Sequence, residues 1–294
     1  MIKPFFLTLF SLISTISFSQ HQELNNKIKS VISNKNATVG VAIIYDAKDT
    51  LTVNNDHKYP TMSVYKFFQA LNILDYMDKH NISLDTEIYI KKEDLKEGTY
   101  SPLRDKSPKG EFNMSLRELI QYTASHSDNN ISNLFFRSLI GPKMTDLYFR
   151  SLGIHNFEIV SSEETMSLDF SNQYQNWITP LEATRILEMF RKEELLSPDY
   201  NNFLRQAMID TKSGQDKVKA LLPKNTVVVH KTGMSFRNKE GLRAADNDLA
   251  IVYLPNGKQF SIAVFIMNSK ESDKTNASII AEISKLAYDY FNKK

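Results

Sequence analysis

Strand-forming segments stand at both ends of this 294-residue chain, and helix-forming segments fill its middle. Near the start, Thr38 to Asp46 (TVGVAIIYD) is a strong strand, with Thr50 to Val53 as its partner across Ala47-Lys48-Asp49. Near the end, Thr226 to His230, Asp248 to Leu254 and Gln259 to Asn268 read as strands. Pro255-Asn256-Gly257 supplies the hairpin turn between the last two. The simplest arrangement is one antiparallel sheet built from both chain ends, with flanking helices and an inserted all-α domain. The fold class is therefore α/β, of an α+β sandwich-like kind, and the groove between the two parts is a natural place for a site.

Helical periodicity marks the rest. Leu24, Ile28, Val31 and Ile32 space as one helix. Val64, Phe67, Phe68, Leu71, Leu74 and Met77 recur at three and four residues and form a buried helix. Ser115 to Thr123 opens with the capping box Ser115 and Glu118, and Asn130 to Leu139 follows as another helix. Thr179-Pro180-Leu181-Glu182 starts a helix, with a cap, a proline at the first position and a glutamate at the third. Ala277 to Phe291 closes the chain. Residues 82–110 are polar and turn-rich, and 156–178 lack a clear period, a length at which an irregular loop is often functional. These limits give an α/β part at 20–60 and 211–294 and an all-α part at 61–210, the latter carrying the long loop.

Residues 1–19 read as a secretory signal peptide. Lys3 supplies the positive region, Phe5 to Phe18 the apolar one, and Ser17-Phe18-Ser19 the small residues before cleavage at Gln20. The apolar run is short for a membrane span. Without cysteine, an exported chain is held by its core alone and has neither a thiol nucleophile nor a cysteine metal site. A net charge of +2, dispersed over both signs, excludes a nucleic-acid partner.

Four short motifs carry chemistry. Ser63 and Lys66 lie one turn apart at the start of the buried helix, so hydroxyl and ammonium share a face. Ser127-Asp128-Asn129 lies between two helices. Glu163 opens Glu163-Glu164-Thr165-Met166-Ser167 in the irregular loop, and Lys231-Thr232-Gly233 ends an apolar run. Each alone is a common turn, cap or strand end. Together, in this order, they are hard to obtain by chance.

On these motifs the chain resembles the class A serine β-lactamases, over essentially the whole segment after residue 19. That family is marked by Ser-x-x-Lys, Ser-Asp-Asn and Lys-Thr-Gly, with a Glu in an Ω-shaped loop, here 156–178. Tyr100-Ser101-Pro102 also matches. Gln173-Tyr174-Gln175-Asn176-Trp177 and Ala245-Asp246-Asn247-Asp248 look like the branch containing many extended-spectrum enzymes. The resemblance implies a β-lactamase/transpeptidase-like fold, a monomer in the periplasm, free of the membrane after cleavage, and a small-molecule β-lactam as substrate. It implies Ser63 as nucleophile, with Lys66 or Glu163 as its base, and Ser127 as proton shuttle to the leaving nitrogen. Glu163 would activate the deacylating water, and the amides of Ser63 and Met234 would form the oxyanion hole. Tyr100, Asn129, Ser167, Lys231, Thr232, Gly233 and Ser235 would line the substrate site, with no metal and no cofactor.

Three departures stand out. Ser167 replaces the Asn that ends the family's loop motif, Met234 follows Lys-Thr-Gly where a smaller residue is usual, and Arg237 and Arg243 both remain candidates for a second carboxylate contact. Asn133 matches a family residue that braces the loop. Neither His126 nor His230 lies in a zinc-binding pattern. The alternatives that share these motifs are a penicillin-binding DD-peptidase, which does not need Glu163, and a β-lactam sensor that stays acylated.

Overall fold

A computed structural model describes residues 22–294; the signal-peptide reading lies outside them. Helix α1 (22–32) leads to strands β1 (Thr38–Tyr45), β2 (Asp49–Val53) and the short β3 (Tyr59–Pro60). The 3-10 turn Met62–Val64 then enters α2 (Tyr65–Lys79), followed by β4 (Glu87–Ile90), α3 (Pro102–Lys106) and β5 (Phe112–Ser115). Next come α4 (Leu116–Ala124), α5 (Asn129–Ser138), α6 (Pro142–Ser151), β6 (Phe157–Glu158), α7 (Glu163–Leu168) and β7 (Trp177–Ile178). Helices α8 (Pro180–Arg191) and α9 (Pro198–Ile209), strands β8 (Val228–Met234), β9 (Arg243–Tyr253) and β10 (Gln259–Ser269), and α10 (Asp273–Phe291) complete the chain.

The expected antiparallel sheet forms in the order β2-β1-β10-β9-β8. Its strands alternate faces, and each face meets its own core. Leu249, Ile251, Ala263 and Phe265 join the core of α2, α4, α5 and α8. Val41, Ile43, Val252, Ile262 and Val264 pack against α1 and α10, with Ile279, Ile280 and Ile283 opposite. This period-two alternation requires a sheet buried on both sides. No helix among the described residues is long and apolar enough to cross a membrane.

Several expectations shift. Strand β8 runs on through Lys231, Thr232 and Gly233, so this motif lies within a strand and not after one. Strand β9 begins at Arg243, five residues earlier than its apolar run suggests, and the segment 82–110 contains β4 and α3. The loop 156–178 is not structureless, since it holds α7 and the 3-10 turn Phe170–Tyr174.

Candidate active site

The chain reverses sharply before Ser63. Met62 has φ +43°, a left-handed value that side-chain-bearing residues rarely adopt and that clusters at functional sites. Neighbours hold it there: the Thr61 amide donates to the Asn176 carbonyl at 2.9 Å, and Asn247 Nδ2 donates to the Pro60 carbonyl at 2.7 Å.

One turn on, Lys66 is fully buried. Its Nζ donates to Asn129 Oδ1 at 2.5 Å, to the Ser127 carbonyl at 2.9 Å and to Ser63 Oγ at 3.1 Å, and lies 3.0 Å from Glu163 Oε1. A buried ammonium needs such partners, because desolvation without them is prohibitive. Next to it the Tyr65 hydroxyl meets Ser132 Oγ at 2.7 Å. Burial, joined by the nearby Glu163 carboxylate, raises that phenol well above its ordinary value and keeps it neutral.

Ser127 lies in the turn between α4 and α5 with φ +60°. Its carbonyl faces Lys66, and its Oγ accepts from Lys231 Nζ at 3.0 Å. Asp128 fixes the turn from below. Its carboxylate accepts from Ser101 Oγ at 2.9 Å, from the Leu103 amide at 2.8 Å and from the Ile131 amide at 3.1 Å. The Asn129 amide donates to the Tyr100 carbonyl at 3.0 Å, leaving the Tyr100 ring 60% exposed beside the cluster.

On the opposite wall, Lys231 is buried in β8. Burial, with the Lys66 ammonium close by, presses the Lys231 ammonium well below the ordinary lysine range. Thr232 Oγ1 shares a 3.0 Å hydrogen bond with Ser213 Oγ. Behind the strand, Lys217 pairs with Asp246, and His230 Nδ1 meets Asp248 Oδ1 at 3.1 Å.

Glu163 begins α7, and Ser63 Oγ lies 3.4 Å from its Oε1. The loop is fixed at the first turn of this short helix and just before it. Asn133 Oδ1 accepts from the Glu164 amide at 3.3 Å, so Asn133 does brace it. Asn176 Oδ1 accepts from the amides of Val160 and Ser161, each at 2.8 Å. A cavity of about 460 Å³ opens here, lined by Asn133, Glu163 and Ser167 among others.

The structure therefore gathers Ser63, Lys66, Ser127, Asn129, Glu163 and Lys231 into one hydrogen-bonded cluster. Two expected substrate residues are occupied locally. Ser167 Oγ donates to the Glu164 carbonyl at 2.8 Å, and Ser235 Oγ accepts from the Ala245 amide at 3.1 Å. Neither arginine stands free. Arg243 and Arg237 both pair with Asp273 at the start of α10, at 2.8 and 2.5 Å. Sequence reasoning missed the roles of Asp128, Asn176 and Ser213. Asp128 had a signal, as an N-cap residue type directly before a helix; the other two act through tertiary contacts alone.

A serine hydroxyl within reach of both an amine and a carboxylate, at the turn into a helix that packs on a sheet, defines an active-site-serine enzyme. The sequence profile of the Beta-lactamase enzyme family matches residues 23–291. A β-lactamase of Bacteroides uniformis is 44% identical over 96% of both chains, and β-lactamase VEB-1 of Pseudomonas aeruginosa is 37% identical over 100% of this chain and 99% of its own. The crystal structure of a class A β-lactamase from Bacteroides cellulosilyticus superposes with a TM-score of 0.90 at 42% identity, covering 94% of this chain and 99% of that one. The chain belongs to the β-lactamase enzyme family, in its class A serine branch.

Proposed function

We propose that this protein hydrolyses the β-lactam amide of penicillins and cephalosporins through an acyl-enzyme on Ser63, and so confers resistance to them. The observation that carries this reading is the placement of Ser63 Oγ 3.1 Å from Lys66 Nζ and 3.4 Å from Glu163 Oε1. Ser63 Oγ attacks the lactam carbonyl carbon and gives its proton to Glu163 through a water, or to Lys66 once that ammonium has passed a proton to Glu163 Oε1, 3.0 Å away. The Ser63 and Met234 amides hold the oxyanion. The C–N bond breaks as Ser127 hands its proton to the leaving nitrogen and takes up the one that Ser63 released, while Lys231 stays an ammonium 3.0 Å from Ser127 Oγ. Glu163, again a carboxylate, then takes a proton from a water that attacks the ester, and the proton passes back to Ser63 Oγ as its C–O bond breaks.

Lys231 and Thr232 hold the substrate carboxylate, and Asn129 and Tyr100 meet its acyl side chain. The groove lies between the α/β part (20–60, 211–294) and the helical part (61–210). The enzyme is exported to the periplasm and acts as a monomer. A DD-peptidase or a sensor has no use for a carboxylate held against the nucleophile, which favours the hydrolytic reading. The test is hydrolysis of a chromogenic cephalosporin by the purified protein beside Ser63→Gly. Steady turnover lost by at least about a thousandfold in the variant supports the reading; equal rates in both overturn it.

A further inference from the structure

The residue after Glu163 is a second acid whose amide, carbonyl and one carboxylate oxygen are all engaged. The Glu164 amide donates to Asn133 Oδ1 at 3.3 Å, and its carbonyl accepts from Ser167 Oγ at 2.8 Å. Its Oε1 accepts from Lys96 Nζ at 2.8 Å and from Arg137 Nη1 at 3.0 Å. Arg137 Nη2 in turn reaches Asp94 Oδ1 at 3.1 Å. Charges thus alternate from Lys96 through Glu164 and Arg137 to Asp94, joining the turn Lys92–Asp94 and helix α5 to α7.

Helix α7 has six residues. A helix that short does not hold itself, so its placement depends on outside anchors. Glu163 is its first residue, and the Glu163–Glu164 peptide carries the N–H that Asn133 accepts. Fixing Glu164 therefore fixes the peptide from which the Glu163 side chain springs. Each ion pair is partly exposed and weak alone, but a shared network resists displacement better than isolated pairs.

We propose that Glu164 is a positioning residue for deacylation. Its ion pairs with Lys96 and Arg137 hold Glu163 in its place against Ser63, and releasing them slows hydrolysis of the acyl-enzyme more than its formation. This rests on Glu163 activating the deacylating water, as proposed above.

The test follows formation and decay of the Ser63 adduct, by rapid quench and intact mass, with a chromogenic cephalosporin and the full protein. Wild type, Glu164→Gln, Arg137→Gln and the double variant are compared, with thermal melts alongside. Decay slows about tenfold in both single variants while formation changes less than about twofold. The double variant is no slower than Glu164→Gln, because the two residues act as one unit. High salt slows decay in the wild type but not in Glu164→Gln. Unchanged decay in Glu164→Gln, with a wild type that turns over, overturns this inference alone. Equal loss of formation and decay, tracking a fall in melting temperature, also overturns it by making the clasp merely structural. A wild type that acylates without turnover overturns both this inference and the role of Glu163.

Discussion

Gly233 stands so close to Ser63 that no side chain fits between them. A Cβ at Gly233 would lie 3.0 Å from the Ser63 amide nitrogen and 2.5 Å from the Thr61 carbonyl oxygen. The strand carrying Lys231 and Met234 is thereby pressed against the turn carrying the nucleophile, which places both expected oxyanion donors on facing backbones. Gly233→Ala is expected to push these apart and to lower kcat roughly a hundredfold, the scale of losing one oxyanion donor. Stability should fall by about 1–3 kcal/mol from overpacking. Steady-state kinetics and urea unfolding read the two effects separately.

Asp128 carries the other wall. Its buried carboxylate satisfies Ser101, Leu103 and Ile131. Asp128→Ala leaves those donors without a partner, each at a cost of about 1–3 kcal/mol. A sharp fall in the urea midpoint is expected, with activity lost as the Ser127 turn loosens. Asp128→Asn, which keeps an acceptor, should fall less.

Much of this was legible in the sequence, and the failures have physical causes. The sheet strands betrayed themselves by β-branched runs, except the first residues of β9, Arg-Ala-Ala-Asp-Asn. Those polar groups are buried because Asp273, Lys217 and the Pro60 carbonyl, all distant in sequence, pair with them. Helix α6 buries only Thr145 and Phe149 fully and turns Met144 and Leu147 to solvent, so its apolar period is blurred. The polar cluster was legible because Ser63–Lys66 and Ser127–Asn129 are local motifs. The capture of Ser167 and Ser235 by backbone groups was not: the first is an i to i−3 bond inside α7, which has no clear period in the sequence, and the second comes from Ala245 on β9.

The depressed ammonium of Lys231 sets a pH dependence. Burial and Lys66 lower it, while Glu163 and Asp248 oppose the shift and Lys217 reinforces it. A lowered folded-state value means that the proton leaves below the ordinary lysine range. An anionic substrate needs that proton, so KM for penicillins should rise with pH well before an ordinary lysine would titrate. Lys231→Arg, which stays charged, should flatten the rise. The same shift means that stability rises with pH between the folded and unfolded values, where the unfolded chain binds the extra proton. KM profiles and urea midpoints across alkaline pH check both signs.

Phe236, half exposed after β8, meets Phe170 of the Ω-type loop edge-on at 5.9 Å. Tyr174 of the same loop donates to Asn268 at 2.5 Å. The ring pair ties the Ω-type loop to the segment just after Met234, an expected oxyanion donor. Such pairs contribute about 0.5–1.5 kcal/mol. Phe236→Ala should raise kcat/KM for cephalosporins with bulky acyl groups about fivefold relative to small ones. An unchanged ratio across a substrate series would remove the aromatic pair as a size filter.

The most direct measurement is intact mass spectrometry of Glu163→Ala mixed with a chromogenic cephalosporin, beside the wild type. The expected result is a stoichiometric burst and a lasting adduct on Ser63 in the variant, against steady turnover and no lasting adduct in the wild type. Equal turnover in both, or a lasting adduct in the wild type, would contradict the assignment of Glu163 as the base that frees the enzyme.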